Sequence, residues 1–227
     1  GQAMTALVWF RHDLRLYDNP ALFKAAELGE GVTAVYIHCA DWVERHSIAP
    51  AQLDFIRRHL HILRTDLEKL NVPLQVVRVK KAKDIASAMK TLAKKNRATH
   101  LFFNAEYPLD ELQRDLEVNN LLKEEGILVK RCHDRCVVPP GRIRNGQGNP
   151  YKVFTAFKKT WLQTVLPVPI TPYGKPRKQK AMSDSSATAA DNNYSSAKII
   201  ILTTTFSSFS FSFLSTKKEL QIINKIY

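Results

Sequence analysis

Apolar residues in this chain follow two alternating rhythms. The first is short and near-continuous. Ala6–Phe10, Val32–His38, Leu74–Val79, His100–Asn104 and Ile127–Cys132 are runs of five to seven residues that read as strands; Ala6–Phe10 suits a central strand buried on both faces. The second is a three-four spacing between those runs. Leu53, Ile56, Leu60, Leu63, Leu67 and Leu70 form one apolar stripe behind Pro50, which predicts a long amphipathic helix. Helices are likewise predicted over 19–28, with Pro20 in the first turn, over 84–95, with Lys90, Lys94 and Lys95 outward, and over 109–125. In the last, Leu112, Leu116, Leu121 and Leu122 are expected inside. Cys39–Pro50 reads as a polar loop. Strands alternating with helices across short connections mean βαβ units. The fold class is therefore α/β: a Rossmann-like five-stranded parallel sheet with helices on both faces, followed by a low-complexity tail.

Three segments follow from this pattern. Residues 4–135 form the α/β domain, after a Gly1–Ala3 remnant. Residues 136–166 hold a proline-broken extended piece (137–144), an Asn145–Gly148 turn and an amphipathic helix over 151–162. That helix reads as packed on the domain rather than as a basic-aromatic nucleic-acid surface. Residues 167–227 are a basic, proline-rich linker and then a biased Ser/Ala and Ser/Phe tail, expected to be disordered because such composition specifies no packed core. Out-of-frame translation or a disrupted gene end is the expected origin of that tail.

Charge changes the picture more than composition does. The 227 residues are 44% hydrophobic, which is ordinary, but the formal net charge is +13, which favours polyanionic partners. Lys80, Lys81, Lys83, Lys94 and Lys95 could give weak, salt-sensitive nucleic-acid binding. Three cysteines, Cys39, Cys132 and Cys136, make no disulfide framework, and their spacing with His38 and His133 does not suit a zinc site, so no metal is expected. No secretory signal and no membrane span are legible. A cytoplasmic monomer is expected.

The chemistry concentrates at the end of the first run. Behind Ala6–Phe10 come Arg11, Asp13, Arg15 and Asp18, delivered to a carboxyl sheet edge, where α/β proteins place ligands. The plain reading is that these charges pair with one another and brace the turn. No glycine lies there, so it is neither a dinucleotide fingerprint nor a phosphate loop, which argues against an autonomous nucleotide-binding module. The stretch Trp9-Phe-Arg-His-Asp-Leu-Arg-Leu-Tyr-Asp-Asn-Pro20 resembles the start of the DNA photolyase and cryptochrome family. Trp42-Val-Glu-Arg-His-Ser-Ile-Ala-Pro50, Asn104-Ala-Glu-Tyr-Pro-Leu-Asp-Glu-Leu-Gln-Arg-Asp115, and Val138-Pro-Pro-Gly with 151–161 resemble later stretches of the same family, in order, over residues 5–165.

That resemblance implies the N-terminal antenna domain of a bacterial cyclobutane pyrimidine dimer photolyase. Its chromophore would be 5,10-methenyltetrahydrofolate, with a deazaflavin left open. The antenna contacts implied are His46, Asp110 and Glu111. Glu111 suits a bidentate acceptor for pterin N–H groups. Asp110 stands where some members carry Asn, so the polar contact there departs from the pattern. Without the resemblance, Asp110 and Glu111 read as first-turn carboxylates favoured by the helix dipole. The resemblance places FAD, the electron-transfer tryptophans and the groove for damaged DNA in a C-terminal helical domain missing here. Trp9, Trp42 and Trp161 match none of those tryptophans. The chain alone is expected neither to bind FAD nor to repair DNA, and no catalytic residue is assigned. A fragment of a cryptochrome-like photoreceptor is the alternative.

Overall fold

The structure, a computed structural model, describes residues 4–106, 108–133, 145–148, 159–160, 163 and 171–181. Five strands form one parallel sheet: β1 (Thr5–Phe10), β2 (Val32–Cys39), β3 (Leu74–Val79), β4 (Ala98–Asn104) and β5 (Leu128–Cys132), in the spatial order β3-β2-β1-β4-β5. Five helices connect them: α1 (Pro20–Glu27), α2 (Ala40–Arg45), α3 (Pro50–Glu68), α4 (Ile85–Lys95) and α5 (Leu109–Glu124). The winding runs outward from β1 to β3, then restarts on the other side of β1 at β4. The crevice between the carboxyl ends of β1 and β4 is thus the topological switch point.

Strand alternation splits the core in two. Ala6, Val8 and Phe10 point to one face and pack with Leu22 and Ala25 of α1 and Leu63 and Leu67 of α3. Leu7 and Trp9 point to the other and pack with Met89 and Leu92 of α4 and Val118 and Leu122 of α5. The two-residue period of a strand makes both faces apolar, which is why these runs are continuous rather than alternating.

Asn19 caps α1: its Oδ1 accepts from Leu22 N at 3.1 Å, and Pro20 occupies the first turn, where the missing N–H costs nothing.

Two expectations fail instructively. Cys39–Pro50 is not all loop, since Ala40–Arg45 forms α2. Asp41 in its first turn suits the helix dipole, and Ser47, at φ 49°, turns the chain out of it. More tellingly, of the four leucines expected inside α5 only Leu122 is buried. Leu116 is 53% exposed, while Glu111, Arg114, Asp115, Val118 and Leu122 face inward. A charged stripe is turned to the sheet because partners wait for it there. Lys90 and Lys94, expected to face outward, both pair with Glu125, Lys94 at 2.7 Å.

The linker 167–180 is part of the fold where it is described. Residues 171–181 lie across the ends of α1 and α3. Asp18 N donates to Tyr173 O at 2.9 Å, Arg177 Nε donates to Ala26 O at 3.1 Å, and Asn71 Nδ2 donates to Gln179 O at 2.7 Å. The Asn145–Gly148 turn is also present, with Gly148 N donating to Asn145 O at 2.8 Å. The extended piece over 137–144, most of the helix expected over 151–162, Cys136 and the tail beyond 181 lie outside the described residues.

Candidate functional site

The site grows from the end of β1. Arg11 is 7% exposed, so its charge needs partners. Its Nη1 donates to Asp115 Oδ1 at 2.7 Å, and Nη2 donates to Asp115 Oδ2 at 3.3 Å and to Asn104 O. Its Nε lies 3.1 Å from Glu106 Oε1 at an angle that is not a hydrogen bond's. Arg114 joins the same acids, with Nε donating to Asp115 Oδ1 at 3.1 Å and Nη2 to Glu106 Oε1 at 3.5 Å. So the charges after β1 do not simply pair with one another. Arg11 reaches across the switch point to α5, while Arg15 braces the turn through Asp18 O at 3.0 Å.

The neutral half of the crevice is equally fixed. Asn104, at the end of β4, donates from Nδ2 to Asn19 Oδ1 at 2.8 Å and to Asp13 Oδ2, and its Oδ1 accepts from Ala21 N at 3.0 Å. These bonds lock the β1–α1 turn to β4.

Aromatic rings stack onto the cations. Arg11 lies 4.5 Å from the Trp9 ring and 4.7 Å from that of Phe103; Arg114 lies 4.9 Å from both Trp9 and Trp42. A guanidinium on an indole face is held electrostatically without losing its in-plane donors. The result is a small cleft of about 60 Å³ over the carboxyl ends of β1 and β2, lined among others by Trp9, Arg11, Tyr36, Trp42 and Arg114.

Tyr36 senses this environment. Burial, and then the nearby Glu106 charge, push its phenol up to about 12. The neutral phenol is therefore favoured in the fold relative to the unfolded chain, where it titrates near 10. Stability drawn from this group is complete below about pH 10 and falls as pH climbs toward 12. Alkaline unfolding followed by circular dichroism is expected to begin at higher pH in Tyr36→Phe than in the parent chain.

The three antenna residues expected from sequence are only partly united. His46 caps the end of α2 and stacks on Trp42, centroids 4.5 Å apart at 21°. Its Nε2 lies 3.4 Å from Asp110 Oδ2, and Arg45 Nη2 lies 3.6 Å from the same oxygen. These groups are half-exposed, so the pairs position the rings more than they stabilise the fold. Glu111 turns elsewhere. It is 7% exposed, and its carboxylate approaches His12 and Glu106. Sequence reasoning missed Trp9, Glu106, Arg114 and Asp115 as site-builders. The one available signal was Arg114-Asp115, a charged pair in the middle of an otherwise apolar-periodic helix.

Comparison with known proteins identifies the family. The DNA photolyase family model matches residues 6–177. The chain is 45% identical over 161 residues to the deoxyribodipyrimidine photo-lyase of Vibrio cholerae, covering 71% of this chain and 34% of that protein. It is 36% identical over 160 residues to that of Escherichia coli, covering 70% of this chain and 34% of the relative. The chain thus spans about a third of the length of these relatives. Among solved structures, the Synechocystis cryptochrome shares the fold with a TM-score of 0.64 at 23% identity, covering 80% of this chain and 38% of that one. The matched region carries the switch-point crevice, Arg11, Asn104, Asp115 and the cleft over them, and the chain belongs to the DNA photolyase family.

Proposed function

We propose that this chain is the antenna-binding part of a deoxyribodipyrimidine photolyase, the blue-light enzyme that splits cyclobutane pyrimidine dimers in damaged DNA. The observation that carries the reading is the Trp42–His46 stack set against Asp110 at the edge of the aromatic cleft. The donor set fits a pterin. The flat rings of Trp42 and His46 offer a stacking surface, and the carboxylate of Asp110 accepts N–H donors. Glu111, one position along α5, supplies a second carboxylate at the buried end. A bound 5,10-methenyltetrahydrofolate would supply near-ultraviolet absorption and excitation transfer; this chain's part is to hold and orient it.

Flavin chemistry and the grip on the dimer belong, in this reading, to the share of the family's length outside this chain. No light-dependent dimer splitting and no FAD retention are therefore expected from the purified chain. Its own contact with DNA is weak, non-specific and lost as salt rises. It works as a monomer in the cytoplasm. A fragment of a cryptochrome-like photoreceptor is the second reading, supported by 28% identity over 193 residues to the cryptochrome-1 of Arabidopsis thaliana.

The experiment is a folate titration of variants read by near-ultraviolet absorption. His46→Ala and Glu111→Ala are each expected to weaken binding by about tenfold or more, the worth of one good hydrogen bond or stack. Affinities equal to the parent's in both variants would remove the site.

A further inference from the structure

Next to the crevice, the structure gathers a second set of ligands, of which the antenna reading uses only Glu111. His12 sits in the turn after β1, Glu106 in the connection from β4, and Glu111 in the first turn of α5. One donor atom from each lies within 4.8 Å of the others. His12 Nε2 and Glu106 Oε2 are 3.8 Å apart, too far for a hydrogen bond. Glu106 divides its oxygens: Oε1 takes Arg11 and Arg114, leaving Oε2 turned to His12.

The independent observation is Glu111. It is 93% buried, and its Oε2 has no hydrogen-bond partner. A buried carboxylate oxygen left unpaired is costly. Among the described residues, Arg11 and Arg114 pair with Asp115 and Glu106, so the two guanidiniums are already matched by two carboxylates.

We propose that His12, Glu106 and Glu111 form a binding site for a divalent transition-metal ion of zinc's type. An imidazole nitrogen and carboxylate oxygens are ligand types that zinc accepts, and three of them leave a fourth position to water. Ligand atoms around tetrahedral zinc stand about 3.3 Å apart, so the cluster needs a contraction of up to about 1.5 Å. His12, 69% exposed in its side chain, is free to supply that by changing rotamer, and its exposure gives the ion an entry path. Arg114 and Arg11 hold Glu106 from behind, the outer-shell support that orients a ligating carboxylate. The ion would tie the β1–α1 turn, the β4–α5 connection and α5 together around the switch point. The proposal does not rest on the antenna reading, although both engage Glu111.

The test uses the full chain, zinc ions and isothermal calorimetry, with cobalt ions as a spectroscopic probe. One zinc per chain at about micromolar affinity is expected, with a visible cobalt absorption band from ligation. Zinc should also raise the melting temperature. His12→Ala, a change at an exposed residue, should weaken binding by at least the ~10–100-fold that losing even outer-shell support costs and abolish the thermal shift. Glu111→Gln should do the same where circular dichroism shows it folded, while His59→Ala, on an exposed face of α3, should change nothing. Folate binding can fail while this pattern holds, and His12→Ala should leave folate affinity intact, so the two proposals fail separately. Zinc affinity unchanged by His12→Ala, or wild-type binding no tighter than about 1 mM, would overturn the site.

Discussion

Replacing Asp115 with alanine is expected to destabilise the folded chain by about 3–5 kcal/mol, the cost of stranding a buried charge. Asp115 is 4% exposed and accepts from two guanidiniums at once: Arg11 at 2.7 and 3.3 Å and Arg114 at 3.1 Å. Removing it leaves two cations beside Trp9 with Glu106 as their remaining acid. Asp115→Asn keeps the shape and one acceptor, so its loss should be smaller, about 1–3 kcal/mol. Urea midpoints measured at constant slope separate the two. As a reference, breaking the exposed Arg57–Asp54 pair, 2.9 Å apart on α3, should cost under about 1 kcal/mol. If Asp115→Ala cost no more than that surface pair, the crevice would not be organised around this carboxylate.

Trp9→Ala is expected to cost about 3–5 kcal/mol as well, by a different route. Trp9 is 2% exposed at the end of a central strand, with its ring 5.7 Å from Phe103 in an edge-to-face arrangement. Truncation opens a cavity between the sheet and α5 and removes the π-face beneath both arginines. Trp9→Phe keeps an aromatic face and should lose less than half as much. The Trp9 and Asp115 variants share Arg11 and Arg114 as contacts, so their effects should not add. A double mutant whose loss equalled the sum of the singles would show that ring and carboxylate act separately.

The sheet was legible because buried parallel strands leave continuous apolar runs, and Ala6–Phe10, Val32–Cys39 and Leu74–Val79 have no polar face to blur them. The stripe of α3 was equally plain: Leu60, Leu63 and Leu67 are the helix's buried residues. What failed was α5. Of the four leucines expected inside, only Leu122 lies in the inward stripe, whose other members are Glu111, Arg114, Asp115 and Val118. Periodicity cannot foresee that a buried arginine on another element will make an acidic face the better one to bury. The same gap hid the site. His46 and Asp110 come from a loop-like stretch and a helix start 64 positions apart, and only the family resemblance joined them. The structure puts them 3.4 Å apart but sends Glu111 inward, which no local pattern signals. The short helix Ala40–Arg45 was missed because six residues carry too little period to see.

The measurement that bears most directly on the account is the absorption spectrum of the full chain before and after adding 5,10-methenyltetrahydrofolate, with unbound ligand removed. A retained near-ultraviolet band in the parent chain, lost in Glu111→Ala, is the predicted result, and it would establish that Trp42, His46, Asp110 and Glu111 suffice to hold an antenna. A protein spectrum unchanged after folate addition would contradict that claim.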